Sequence, residues 1–163
     1  EDYNSFASAT LEDIYTPEDL EASLHYQARH FASSYLENTG NGFEMRNLPN
    51  EVQLSSINGI ISMDFDQDGN LDLLVAGNMF GSEIETTRND ASYGQLLLGD
   101  GEGGFTVAPR AETGLFLNGD VKDLARVDTN NGPLIIVANN NAPMSALRPR
   151  SEERERVVAV SIP

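Results

Sequence analysis

The feature that most constrains this chain is an internal echo at a spacing of 62 residues. "LLVAGN" at 73–78 falls on "IIVANN" at 135–140, and "LENTGNGF" at 36–43 falls on "LGDGEGGF" at 98–105, both without a gap. A chain that repeats itself folds as repeated supersecondary units, each too small to bury its apolar face alone. Between the echoes, short β-prone segments alternate with Gly, Asn and Asp clusters: "INGIISMDF", "LDLLVAGN", "YGQLLLG", "GGFTVAP", "DVKDLARV" and "PLIIVANN". That pattern predicts many short strands joined by tight turns, hence a sandwich, barrel or propeller. A unit of about 60 residues holding about four strands suits a propeller blade of the larger kind.

The ends read differently. Residues 1–34 form a helical segment in prospect: Thr16 is a candidate N-cap, Pro17 takes the first helical position, and Leu20, Leu24, Ala28 and Phe31 follow at helical spacing. This predicts one helix of about fifteen residues, preceded by a short helical turn in "TLEDIY". Residues 35–145 carry the repeat. Residues 146–163 are a tail with a charged patch at 148–156, followed by an apolar run at 157–162 that is either a closing strand or an unstructured end. The expected fold class is mainly β: a partial β-propeller of about two blades of antiparallel strands, with an N-terminal α-helix.

The chemistry concentrates in "SMDFDQDGNLDLLVAGN", residues 62–78, where Asp64, Asp66, Asp68, Asn70 and Asp72 stand at every second position. No Lys or Arg lies between Arg46 and Arg88, so four carboxylates repel one another with no fixed counter-charge. The spacing D-x-D-x-D-G-x-x-D suits a hard cation, because calcium takes about six to eight oxygens. In this reading Asp64, Asp66, Asp68 and Asp72 supply side-chain oxygens, Asn70 supplies its main-chain carbonyl, and Gly69 permits the sharp turn. An EF-hand needs a Glu at the twelfth position and flanking helices. Counting from Asp64, that position is Val75, inside a strand-like run, so the expected element is a β-loop-β calcium loop. Magnesium, which prefers fewer carboxylates and retained waters, fits less well. The alternative is an ion-free Asp/Asn/Gly turn. Under the 62-residue shift the five positions land on Arg126, Asp128, Asn130, Gly132 and Leu134. The second unit is therefore expected to keep the hairpin and lose the metal.

With "DFDQDGNLDLLVAGN" and the "GDGEGGF" turn, the chain resembles the FG-GAP/VCBS repeat of integrin-α-type β-propellers. Over roughly residues 10–140 it is similar to the C-terminal region of secreted bacterial VCBS-repeat proteins of the ASPIC/UnbV-associated kind. The resemblance implies a seven-bladed propeller in the full-length protein, with further blades as partners of those here. It also implies Ca2+ on hairpin loops, held here by Asp64, Asp66, Asp68, Asn70 and Asp72, an extracellular, periplasmic or outer-surface location, and no enzymatic activity. Two to three blades cannot close a ring, so the open edges need covering.

Charge and composition narrow the function further. Net charge is −16, from 26 acidic and 10 basic residues, and Lys122 is the single lysine. Such a field disfavours nucleic acid and anionic membranes. The surplus either suits solubility in high salt, hence a halophilic source, or in part feeds cation sites. No apolar run reaches the roughly 20 residues of a membrane-spanning helix, and the first residues show no signal peptide. Without cysteine there is no disulfide, thiolate nucleophile or Cys-ligated zinc. Gly99, Gly101 and Gly104 satisfy G-x-G-x-x-G, but "FTVAP" follows where a phosphate cradle needs a helix, which favours a hairpin turn. His25 and His30, five apart on the expected helix, do not share a face. The excursion at 78–94, with Met79, Phe80, Glu83, Glu85, Arg88, Asp90 and Tyr93, is either a self-packed loop in which Arg88 pairs with Asp90 or Glu85, or a contact surface for a protein or glycan. The sequence thus points to a non-enzymatic, calcium-binding recognition or scaffold module. The alternative is part of a polysaccharide-acting enzyme whose active site lies on blades outside this chain.

Overall fold

The computed structural model describes residues 2–149 and 158–161. The chain divides into two units, residues 1–31 and 32–163.

The first unit holds three short helices, α1 (Tyr3–Ser8), α2 (Leu11–Ile14) and α3 (Pro17–Ala22). Each starts at a side-chain cap. Asp2 Oδ1 accepts from Ser5 N at 2.9 Å, Thr10 N donates to Asp13 Oδ2 at 2.9 Å, and Asp19 N donates to Thr16 Oγ1 at 3.2 Å. The Thr16–Pro17 start is where the sequence put it, but the fifteen-residue helix is not formed: α3 stops at Ala22. Ser23 is extended there, and its Oγ donates to the Leu20 carbonyl at 2.7 Å. The residues that should have carried the helix onward pack on no surface within the first unit, with Leu24 82% and Phe31 86% exposed. A helix this short depends on tertiary packing, and spacing alone does not extend it. His25 therefore lies beyond the helix, with Nε2 at 3.0 Å from the Leu20 carbonyl oxygen, so the helical-face comparison with His30 does not apply.

The second unit is built from antiparallel strands in three sheets, and every β-prone segment named above supplies one. A hairpin joins β1 (Ser34–Asn38) to β2 (Phe43–Asn47). The first four-stranded sheet runs in chain order β3 (Gly59–Met63), β4 (Asp72–Ala76), β5 (Gln95–Gly99), β6 (Phe105–Val107). The second also runs in chain order: β7 (Val121–Thr129), β8 (Gly132–Asn139), β9 (Ser145–Arg148), β10 (Val158–Ser161). No sheet closes on itself. Of the two readings of the apolar run in the tail, the strand is the one formed: β10 pairs with β9, whereas residues 150–156 of the charged patch lie outside the described residues.

Period-two alternation assigns the faces. Ile61 pairs with Leu74, and Leu74 with Leu96, on the side turned to the second sheet. There Ile61, Leu74 and Ala76 pack with Val121, Leu124, Ile135, Val137 and Leu147, joined by Leu115 and Leu117 from the connection between the sheets. The other face carries Leu73, Val75, Leu97, Phe105 and Val107. It is covered by Leu48 and by Val52 of a 3-10 turn (Asn50–Gln53), with Tyr35 of the hairpin. Tyr35 meets Phe105 edge to face at 5.4 Å, and its hydroxyl donates to the Gly103 carbonyl. The first sheet is thus buried on both sides.

The two sheets approach most closely along β3 and β7. Asn58 Nδ2 donates to the Val121 carbonyl at 2.7 Å, and a Cβ on Gly59 would stand 2.7 Å from Leu124 N. Gly59→Ala is therefore expected to force the sheets apart and cost about 1–3 kcal/mol in urea denaturation. Gly81→Ala, where a Cβ meets open space, should change stability by less than about 0.5 kcal/mol.

Candidate metal centre

The acidic loop bridges β3 and β4, and its fixed points are Phe65 and Asp72. Phe65 packs against the core between the sheets, and Asp64 and Asp66 flank it in the chain. Asp72 opens β4 and is fully buried. Its Oδ2 accepts from Phe65 N at 2.7 Å, and its Oδ1 accepts from Gly99 N at 2.9 Å. One carboxylate therefore closes the loop and ties it to β5. Gln67 and Gly69 turn the chain between these anchors at φ +64° and +94°.

Of the five residues singled out by spacing, the fold brings three together. Asp64, Asp66 and Asp72 each place one oxygen within 4.8 Å of the others. Asp64 Oδ2 accepts from Gly69 N at 3.0 Å, while Asp64 Oδ1 is buried without a hydrogen-bond partner. Asp66 Oδ1 accepts from Asp68 N at 3.2 Å. Burial raises the Asp66 carboxyl above its ordinary value, helped by repulsion from Asp72, Asp68 and Asp64 and opposed by the Asp68 N–H. Asp68 stands apart from the trio: its two oxygens accept from Asn70 N at 2.7 Å and Asn70 Nδ2 at 2.9 Å. Asn70 in turn braces the neighbouring turn, where a Cβ on Gly101 would meet its Oδ1 at 2.4 Å.

That neighbouring turn is the glycine motif. It joins β5 to β6 as a hairpin, with Gly99 opposite Phe105. Asp100 Oδ1 accepts from Glu102 N at 2.7 Å and Gly104 N at 2.8 Å, and these bonds hold its carboxyl below the usual range.

In the second sheet the counterpart of the acidic loop has been absorbed into strand. β7 runs on to Thr129 and β8 starts at Gly132. Arg126 closes on Asp128 at 2.8 Å, a charge pair at the position that Asp64 and Asp66 occupy in the first sheet.

The 78–94 excursion is largely engaged with itself. Arg88 pairs with Asp90 at 2.7 Å and lies over the Phe80 ring at 4.6 Å, while Met79 bridges to Asn89. Its anchor is Asn78, fully buried, whose side chain accepts from Ser55 Oγ and Ser92 N and donates to the Ser92 and Gly119 carbonyls. The recurring asparagine of "LLVAGN" and "IIVANN" was the sequence signal for this hub. No spacing rule announced a second cluster, in which Tyr93, Arg110 and Phe116 meet from three separate segments.

No family model matches the chain, and neither curated proteins nor solved structures give a match. No helix among the described residues is long and apolar enough to cross a membrane.

The raised Asp66 carboxyl has a definite sign. A carboxyl raised by folding stabilises the fold when protonated and loses that contribution as pH rises through its raised value. In EDTA, Asp66→Asn should therefore melt above wild type at pH 7, and the gap should close as pH falls through the carboxylate range. Thermal melts of the two proteins across that range check this.

Proposed function

We propose that residues 64–72 bind calcium and that the ion stiffens one corner of a non-enzymatic recognition or scaffold module. The observation that carries this reading is the buried, partnerless Asp64 Oδ1, in a residue grouped with Asp66 and Asp72. A buried carboxylate oxygen without a partner is costly, and a hard cation removes that cost while neutralising its neighbours. Asp72, already aligned by two N–H groups, is a preset ligand. Asp68 and the Asn70 carbonyl complete the expected oxygen set once Asp68 releases Asn70.

The sheets support a propeller setting. Shifted by 62 residues, Leu74 and Ala76 fall on Ile136 and Ala138. The first two are buried beneath the second sheet, whereas Ile136 and Ala138 are only half-buried. In this proposal the hairpin and the two sheets are successive FG-GAP/VCBS-type blades, and a further blade covers the half-buried face. Export from the cytoplasm follows from the same resemblance and from calcium use. Recognition of a protein or glycan is placed near the 78–94 excursion, at the end of β4 opposite the calcium loop.

Calcium that binds only the folded state adds about 2.7 kcal/mol at a hundredfold excess over Kd. Melting in millimolar calcium should therefore exceed melting in EDTA; equal midpoints would end the proposal. Asp66→Ala should abolish the shift, and Asp128→Ala should leave it intact.

A further inference from the structure

We propose that Tyr93, Arg110 and Phe116 form a binding site for a hexuronate, a sugar ring bearing a carboxylate, within an acidic glycan. This deepens the recognition reading above and rests on it.

The site is built on rigid supports. Leu115 and Leu117 are both buried in the core, so alternation turns Phe116 outward, where it is 51% exposed. Leu117 N donates to the Tyr93 carbonyl at 2.8 Å, which fixes the two aromatic segments side by side. The Tyr93 and Phe116 rings stack with centroids 5.3 Å apart and planes inclined by 25°. Arg110 comes from a single helical turn, α4 (Arg110–Thr113), whose end is closed by Gly114 N donating to the Arg110 carbonyl at 2.9 Å. Its guanidinium carbon lies 5.0 Å from the Tyr93 centroid and 5.5 Å from that of Phe116.

Among the described residues, Arg110 has no anion beside it, as the exposed Arg29 has none, but Arg110 alone of the two is held against a pair of aromatic rings. Arg46, Arg88, Arg126 and Lys122 each close on a carboxylate, and Arg148 donates to the Asn131 carbonyl. Among the described residues, the Arg110 guanidinium makes neither an ion pair nor a hydrogen bond. In a chain of net charge −16, an unpaired guanidinium fixed over an exposed aromatic pair is a preorganised anion receptor.

The ligand follows from that geometry. A stacked aromatic pair offers a flat face to the C–H surface of a pyranose, and the guanidinium fork takes a carboxylate on the same ring. Hexuronates join these two features rigidly. An acidic peptide carries its carboxylate on a flexible stem with no flat C–H face, and a polyphosphate has no C–H face to lay against the rings.

Titration calorimetry at fixed millimolar calcium tests this, with a glucuronate oligosaccharide against its carboxyl-reduced neutral counterpart. The acidic form should bind, and the neutral form should bind about tenfold more weakly. Arg110→Gln and Phe116→Ala should each lose about tenfold for the acidic form, while keeping the wild-type melting temperature and calcium shift. Equal affinity for the two sugars, undiminished binding by Arg110→Gln, or a preference for an oligoglutamate peptide overturns the inference but leaves recognition standing. Binding to no sugar or peptide overturns the inference and, with it, glycan recognition at this surface.

Discussion

Asp72 is the constraint on which the rest of the second unit turns. A carboxylate removed from water must be satisfied by the protein, and Asp72 uses one oxygen on the loop before it and the other on the strand beside it. Its two bonds set where the loop closes, where β5 pairs with β4, and how the next hairpin meets Asn70. Phe65 completes the arrangement by giving the acidic loop an apolar foothold in the core. The loop is thus shaped by hydrogen bonds and packing, and the same shape gathers carboxylates that oppose one another. Rigidity and repulsion have the same origin here.

β3 to β8 were legible because sheet burial leaves a period-two record, whereas β2, exposed along its whole length, leaves none. Ile61, Leu74 and Val75 take their faces by simple alternation from any one of them. The starts of α2 and α3 were legible, since a cap is a local bond between residues three apart, whereas α1 behind Asp2 was not read. The length of α3 was not, because a stripe of apolar residues says only which side would be buried if a surface were there to bury it. Leu24 and Phe31 show the missing half of that condition.

The aspartate loop divides along the same line. The spacing of Asp64, Asp66 and Asp72 was readable, and the fold gathers them. The engagement of Asp68 with Asn70 was not, because short polar side chains compete for nearby N–H groups in ways that spacing does not rank. The partner of Asp72 at Gly99 lies 27 residues away. The meeting of Tyr93, Arg110 and Phe116 is more remote still from any local rule, although "GLFLNG" carries a trace of it: an exposed aromatic between two buried leucines.

The short turn between β7 and β8 gives the last lesson. Where the first sheet gathers aspartates, the second has Arg126 closed on Asp128 and strand pairing carried through to Thr129 and Gly132. Its positive charge is covalently part of the chain, present at fixed stoichiometry whatever the surrounding solution contains. If the first corner takes its cation from solution, the molecule has one turn whose stiffness tracks the medium and another, 62 residues on, that is indifferent to it. Changes in ion supply would then be felt on one side of the sheet pair only, a local response written by Arg126, Asn130 and Leu134 standing where the first sheet has Asp64, Asp68 and Asp72.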